Sequence, residues 1–420
     1  MNKGIILGID FSADYTQVSI LSEGSDAETT RLAAKAEEFL MPTSMFLNSD
    51  LGEWAVGYEA YNRSRVEDGV FIEHIADKMQ QSHGVLIGEK RVDWTEIAPI
   101  FFTKVIEMAI GKSEDINIRS VVISVDDPEE TIMETLYATM NKLGFEKGVV
   151  RIINHSESLA YYVLNQSKDV WVNNVLMVDF NEVRPVIRKL FVTKGREPFT
   201  VDIVKEDISD KISYKMLDTE EGQIQADNIL KSILMEELDA TVVSGIYLNG
   251  QGFMKEGWYQ RTINAVYSNR RLFAGNNLIA KGAIFAAKEL FITKALDNYV
   301  ISCKGRTKVN VTMDVVYRGQ ETRVILSKAG LHWYEAGAKQ QCIINNVDEA
   351  VFSISWPATK KIQTFTMSLD EFPKRDDKTS RIEVSLSYTD ENTFVVEIKD
   401  IGFGEFYEAT DAAVRYEVKL

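Results

Sequence analysis

The chain has 420 residues, more than one ordinary hydrophobic core supports, so two or more domains are expected. Apolar residues make up 45% and aromatics 10%, enough to build sizeable cores. A formal net charge of −16 disfavours nucleic acid and anionic membranes as nonspecific partners, because both are held by basic patches. Two cysteines, Cys303 and Cys342, make no disulfide framework and point to a reducing, cytoplasmic setting. The opening MNKGIILGID is too short an apolar run for a signal peptide, and no stretch approaches the ~18 apolar residues of a membrane helix.

In chain order, GIILGIDFSADYTQVSILSEG predicts two strands flanking a polar turn. After a short helical stretch, MPTSMFLN at 41–48 predicts another strand. Residues 94–112 carry apolar positions at helical spacing, and IRSVVISVDD has the unbroken apolar character of a buried parallel strand. A helix over PEETIMETLYATMNKLGF follows, with Pro128 in its first turn and Gly144 at its C-cap. The short strand 151–154 leads into the helix SESLAYYVLNQ, and residues 173–192 form a second strand–turn–strand unit. Next come a helix over 223–240, a strand in SGIYLNGQGF entering a Gly-rich turn, and a helix over KGAIFAAKELFITKAL. Strands alternating with helices predict an α/β domain with partly parallel sheets. From residue 309 onward eight short alternating runs without helical pattern predict an antiparallel β-sandwich. The domains are therefore placed at 1–303 and 304–420. No internal repeat appears.

The order of these segments resembles the DnaK-like, seventy-kilodalton heat-shock chaperones within the actin-like ATPase superfamily. ILGIDFSADYTQVSIL is similar to the first phosphate hairpin of that family and VLMVDFNEVRPV to the second. RIINHSESLA is similar to the connecting segment, GIYLNGQGF to the adenosine strand, and GNNLIAKGAIFAA to the closing helix. RIEVSLSYTDENTFVVEIKDIGFGE resembles the chaperones' peptide-binding sandwich. LNGQGF, RRLFAGNNLIAKGA and EFPKR…TSRIEV are closest to an uncharacterised, degenerate bacterial branch, which carries no known activity. The resemblance implies a two-lobed actin-like ATPase fold followed by a sandwich. The second lobe is reduced, since about seventy residues separate Asp179 from Gly250, too few for a complete adenine-clamping subdomain.

Such an ATPase needs small residues in both hairpins, so that backbone N–H groups reach phosphate, and two aspartates for hydrated Mg²⁺. It also needs a Lys at the terminal phosphate and a Glu to orient water. The aspartates persist as Asp10 and Asp179, the residues that would hold metal. The first hairpin's Gly-Thr-Thr is Ser12-Ala13-Asp14 here, and the second hairpin's glycines are replaced by Asn181-Glu182-Val183-Arg184. Bulk and negative charge now stand on the phosphate path. His155 replaces the Glu, and Lys78 is the candidate for the Lys. The degenerate catalytic positions are thus Asp10, Lys78, His155 and Asp179. Gly250, Gly252 and Gly275, with Asp10 and Asp179, are the candidate cofactor contacts.

Each residue has a plainer alternative. The aspartates can terminate strands, His155 can be a hydrogen-bonded residue at a strand–helix junction, and the glycines can serve only their turns. Asp14 and Glu182 could create a new cation site or be solvated turn acids. Arg270 and Arg271 could meet an anion or make an intradomain ion pair. Trp333 and Tyr334 could line a peptide groove, or one of them could pack inward.

The expected function is a chaperone-like interaction or scaffold protein with a degenerate ATPase domain, binding a protein or peptide partner through the sandwich. No cofactor is expected, and ATP with Mg²⁺ is the one to look for if the nucleotide site is retained. The alternative is a weak ATP-binding chaperone-type ATPase with slow hydrolysis.

Overall fold

The computed structural model describes residues 4–22, 24–30, 32, 39–111, 117–193, 195, 197–255, 257–268, 270–345, 347–375 and 378–420. The helical stretch expected before residue 41 lies largely outside them. Two compact units divide the chain: Met1–Val192 with Ile203–Leu296, and Thr193–Asp202 with Asp297–Leu420. The boundary expected at residue 303 falls a few residues after this division. No helix among the described residues is long and apolar enough to cross a membrane. Cys303 and Cys342 form no disulfide.

The first unit is mixed α/β. In one sheet the strand Gly4–Phe11 pairs antiparallel with Tyr15–Ser22 and parallel with Asn117–Val125, which in turn runs parallel to Val150–Asn154. The second sheet repeats this plan. Asn174–Asp179 pairs antiparallel with Val186–Val192 and parallel with Val243–Asn249, which runs parallel to Arg271–Ala274. A third strand follows each hairpin in sheet order, Glu28–Thr30 in the first sheet and, in the second, Phe199–Asp207, of which 203–207 belong to this unit. The central strands are buried except at Asn174 and Ser244, as their apolar runs require. The strand Phe199–Asp207 has no counterpart in the sequence reading, although Phe199, Val201 and Ile203 alternate with polar residues.

Local signals explain the helix limits. Asp93 caps Trp94–Ile110 by accepting the Thr95 N–H. Thr219 caps Glu220–Ala240 by accepting from Gly222, which is why this helix begins before residue 223. Asn154 and Glu157 form a reciprocal capping box at the head of His155–Leu164. Pro128 precedes the N-cap Glu129 instead of lying in the first turn of Glu130–Lys142. Gly144 follows that helix with φ +88°, the left-handed geometry that glycine adopts without strain.

Helix Leu278–Lys288 lies on His155–Leu164 at very short range. A Cβ on Gly282 would sit 2.1 Å from the Ser158 carbonyl oxygen. Gly282→Ala must therefore push two backbones apart, and it is expected to cost about 1–3 kcal/mol in urea unfolding of the first unit.

In the second unit the eight expected strands all form. One antiparallel sheet is ordered Gln320–Ser327, Asn310–Tyr317, Glu349–Ser355, Ile362–Ser368. The other is ordered Ala338–Ile344, Ser380–Asp390, Thr393–Asp400, Ala413–Lys419. Phe352 and Ile354 from the first and Val384, Phe394 and Val396 from the second share one core. Asp400, at the end of a core strand, accepts both guanidinium arms of Arg375 at 2.9 and 2.8 Å.

Candidate functional site

In the first sheet, three adjacent parallel strands deliver Asp10, Asp126 and His155 to their carboxyl ends. That edge is where open α/β sheets place their sites. In the second sheet, parallel neighbours end at Asp179 and Asn249, and the antiparallel partner carries Arg188 opposite Met177. Residues two apart on a strand share a face, so Arg188 and Asp179 lie diagonally across the pair.

These groups form a continuous chain of alternating charge. His155 Nε2 lies 3.2 Å from Asp10 Oδ1, and its Nδ1 lies 3.8 Å from Asp126 Oδ1. Arg188 reaches Asp126 at 2.7 Å with one nitrogen and Asp179 at 3.3 Å with the other. Lys205 donates to both Asp126 oxygens and, at 3.1 Å, to Asp127. Arg184 lies 3.8 Å from Asp126. The network is dry at its centre: Asp10 is 1% exposed and Arg188 is fully buried.

Neutral donors complete the set. Ser12 Oγ donates to Asp10 at 2.6 Å, and the Asn181 and Asn249 amides donate to Asp179 at 2.8 and 3.0 Å. Burial would raise Asp126, but Arg188, His155 and Lys205 hold its carboxyl well below the ordinary range. Burial would lower His155, yet Asp10 and Asp126 outweigh it and hold the imidazole above its ordinary value. Burial, followed by the charges of Asp10, Asp179 and Asp14, lifts the Tyr15 hydroxyl far above the phenol range.

The two hairpins touch through Asp14, whose Oδ2 accepts the Val183 backbone N–H at 3.0 Å. The resemblance assigns such hairpin N–H groups to phosphate; here a carboxylate of the same chain takes one. Burial raises Asp14 to about 6 against the lowering effect of that N–H.

The structure brings Asp10, His155 and Asp179 into one network and leaves Lys78 out of it. Lys78 lies on the helix Ile75–Gln81, and among the described residues no hydrogen bond or ion pair links it to either aspartate. His74, just before that helix, reaches the first hairpin instead, with Nδ1 3.3 Å from the Ala13 carbonyl oxygen.

Gly250 and Gly252 serve the packing of the second hairpin. Gly250 has φ +102°, and a Cβ there would lie 2.6 Å from Asn181 Oδ1. A Cβ on Gly252 would lie 2.6 Å from the Phe180 ring. Phe253 and Trp258 stack at this turn, Phe180 meets both edge-on, and the Trp258 indole N–H donates to the Gly252 carbonyl. Gly275 has open space around it, and its N–H donates to the Leu248 carbonyl. Arg271 pairs with Asp169, the intradomain alternative, and Arg270 donates to the Ser268 carbonyl. In the second unit Trp333 packs against the sandwich core while Tyr334 is 37% exposed, so only Tyr334 is presented for contact.

Arg188, Asp126 and Lys205 carry the network and are absent from the sequence-derived set. The visible signals were the Arg188-Lys189 pair inside the otherwise apolar run VIRKLFV and the paired acids closing IRSVVISVDD.

A family model described as the C-terminal part of a family of unknown function, DUF5716, matches residues 26–304. A second, described as a domain of unknown function, DUF8552, matches residues 306–420. No curated protein matches the chain.

Proposed function

The chain belongs to the DUF5716 family, whose model covers about two-thirds of it, and we propose that it is a chaperone-like interaction protein built on a non-catalytic, actin-like ATPase domain. The repeated sheet plan, a hairpin followed by two parallel strands in each half, supports the actin-like reading. The observation that carries the loss of catalysis is Arg188. Its guanidinium, bridging Asp126 and Asp179, engages one of the two aspartates to which the resemblance assigns Mg²⁺. Asp10 is likewise engaged by His155. A divalent ion and a triphosphate would have to displace paired, buried charges, and one partner of each broken pair would be left uncompensated. The unit then acts as a scaffold, and the sandwich presents Tyr334 and its neighbours to a protein or peptide.

Melting of the full chain with ATP·Mg²⁺ tests this. A ligand at a hundred times its Kd stabilises by about 2.7 kcal/mol, a shift of several degrees. The expected result at millimolar nucleotide is no shift. A rise that disappears in Asp179→Ala would favour the slow ATPase instead.

A further inference from the structure

We propose that Asp14, His74 and the Ala13 carbonyl form a binding site for one divalent transition-metal ion, with Glu182 supplying a further carboxylate from the facing hairpin. The Asp14 side chain is 5% exposed, yet its Oδ1 has no hydrogen-bond partner. A carboxylate oxygen in that state lacks the compensation that buried charge requires. The His74 imidazole faces it, with Nδ1 3.7 Å away. The same Nδ1 lies 3.3 Å from the Ala13 carbonyl oxygen.

These separations suit a shared ion. Donors bound at about 2.0–2.2 Å to one tetrahedral or octahedral centre lie roughly 3–3.5 Å apart. The Ala13 edge fits as it stands, and the Asp14 edge needs only a few tenths of an ångström. Metal binding would put the His74 proton on Nε2 and replace the contact from Nδ1 to Ala13. His74 is held for this with φ +51°, a left-handed conformation that few side-chain-bearing residues adopt.

Among the described residues no three His, Cys, Asp or Glu side chains converge as a ligand set, which is why a backbone carbonyl is included. Glu182 is exposed in the turn and is covalently joined to Val183, whose N–H is fixed on Asp14. Its carboxylate is the second that would reach the ion. Asp77, on the first turn of the helix after His74, adds negative charge on the same side. One imidazole with carboxylate and carbonyl oxygens suits Zn²⁺ or Mn²⁺ over a soft ion such as Cu⁺.

Calorimetry of the full chain with ZnCl₂ and with MnCl₂, no nucleotide present, tests the site. One saturable site for at least one ion is expected, absent in Asp14→Asn and weakened about tenfold or more in His74→Gln. Asn at position 14 retains an oxygen for the Val183 N–H, so this variant should melt no lower than the parent chain; were it to misfold, His74→Gln alone decides. Failure of both ions to saturate the chain, or binding unchanged in the variants, overturns the proposal. Because nucleotide is absent, an ATP-induced melting shift would sink the scaffold reading and leave this one standing.

Discussion

Arg188→Ala is expected to destabilise the first unit by about 3–5 kcal/mol, the usual cost of removing one partner from a buried ion pair. The guanidinium is fully buried and spans two carboxylates from different sheets, so its loss leaves Asp179 with only amide donors. Asp126 retains Lys205, so most of the cost falls on Asp179. Arg188→Lys is expected to recover little, because a single ammonium cannot bridge two carboxylates as a planar fork does. Combining Arg188→Met with Asp179→Asn removes both charges of that pair and is expected to recover a substantial part of the loss. Urea unfolding followed by a probe in the first unit measures each step, since a two-unit chain need not unfold in one transition. A change below about 0.5 kcal/mol in Arg188→Ala would place it among ordinary surface substitutions and remove the basis for calling it a resident counterion.

Arg188 also shows where a sequence stops being informative. The central strands of the first unit were legible because they are apolar on both faces, and the sandwich strands because their alternation has period two. Asp10 and Asp179 were legible through the resemblance of the two hairpins that carry them. What remained hidden were pairings set by tertiary geometry. Arg188 meets Asp126 across 62 positions and Lys205 meets it across 79, and no local period encodes either. The doubled sheet plan shows no internal sequence repeat, because two sequences can share a strand order and sense without sharing side chains. His74 was passed over for Lys78 because a lysine was the residue sought, while the fold brings to the first hairpin the residue that precedes the helix.

In the second unit, Asp400→Ala is expected to be about as damaging, at roughly 3–5 kcal/mol, because it strips the counterion from a nearly buried Arg375. Asp400 also accepts the Gly402 and Thr410 N–H groups and the Thr410 hydroxyl. It thereby anchors both ends of the connection between the last two strands. Burial would raise its carboxyl, but Arg375 and these donors together hold it at about 2, below the ordinary 3.8. A carboxyl depressed in the folded state binds fewer protons there than in the unfolded chain between these two values. Its contribution is fully present above pH ~4 and is lost as pH falls towards ~2, a change of about 2 kcal/mol. Acid unfolding of the sandwich should accordingly steepen between pH 4 and 2 in the parent chain and flatten in Asp400→Asn, which has no proton to gain. Parallel acid limbs in the two proteins would mean that the Arg375 pair contributes nothing to folding, and the connection it anchors would need another explanation for its order.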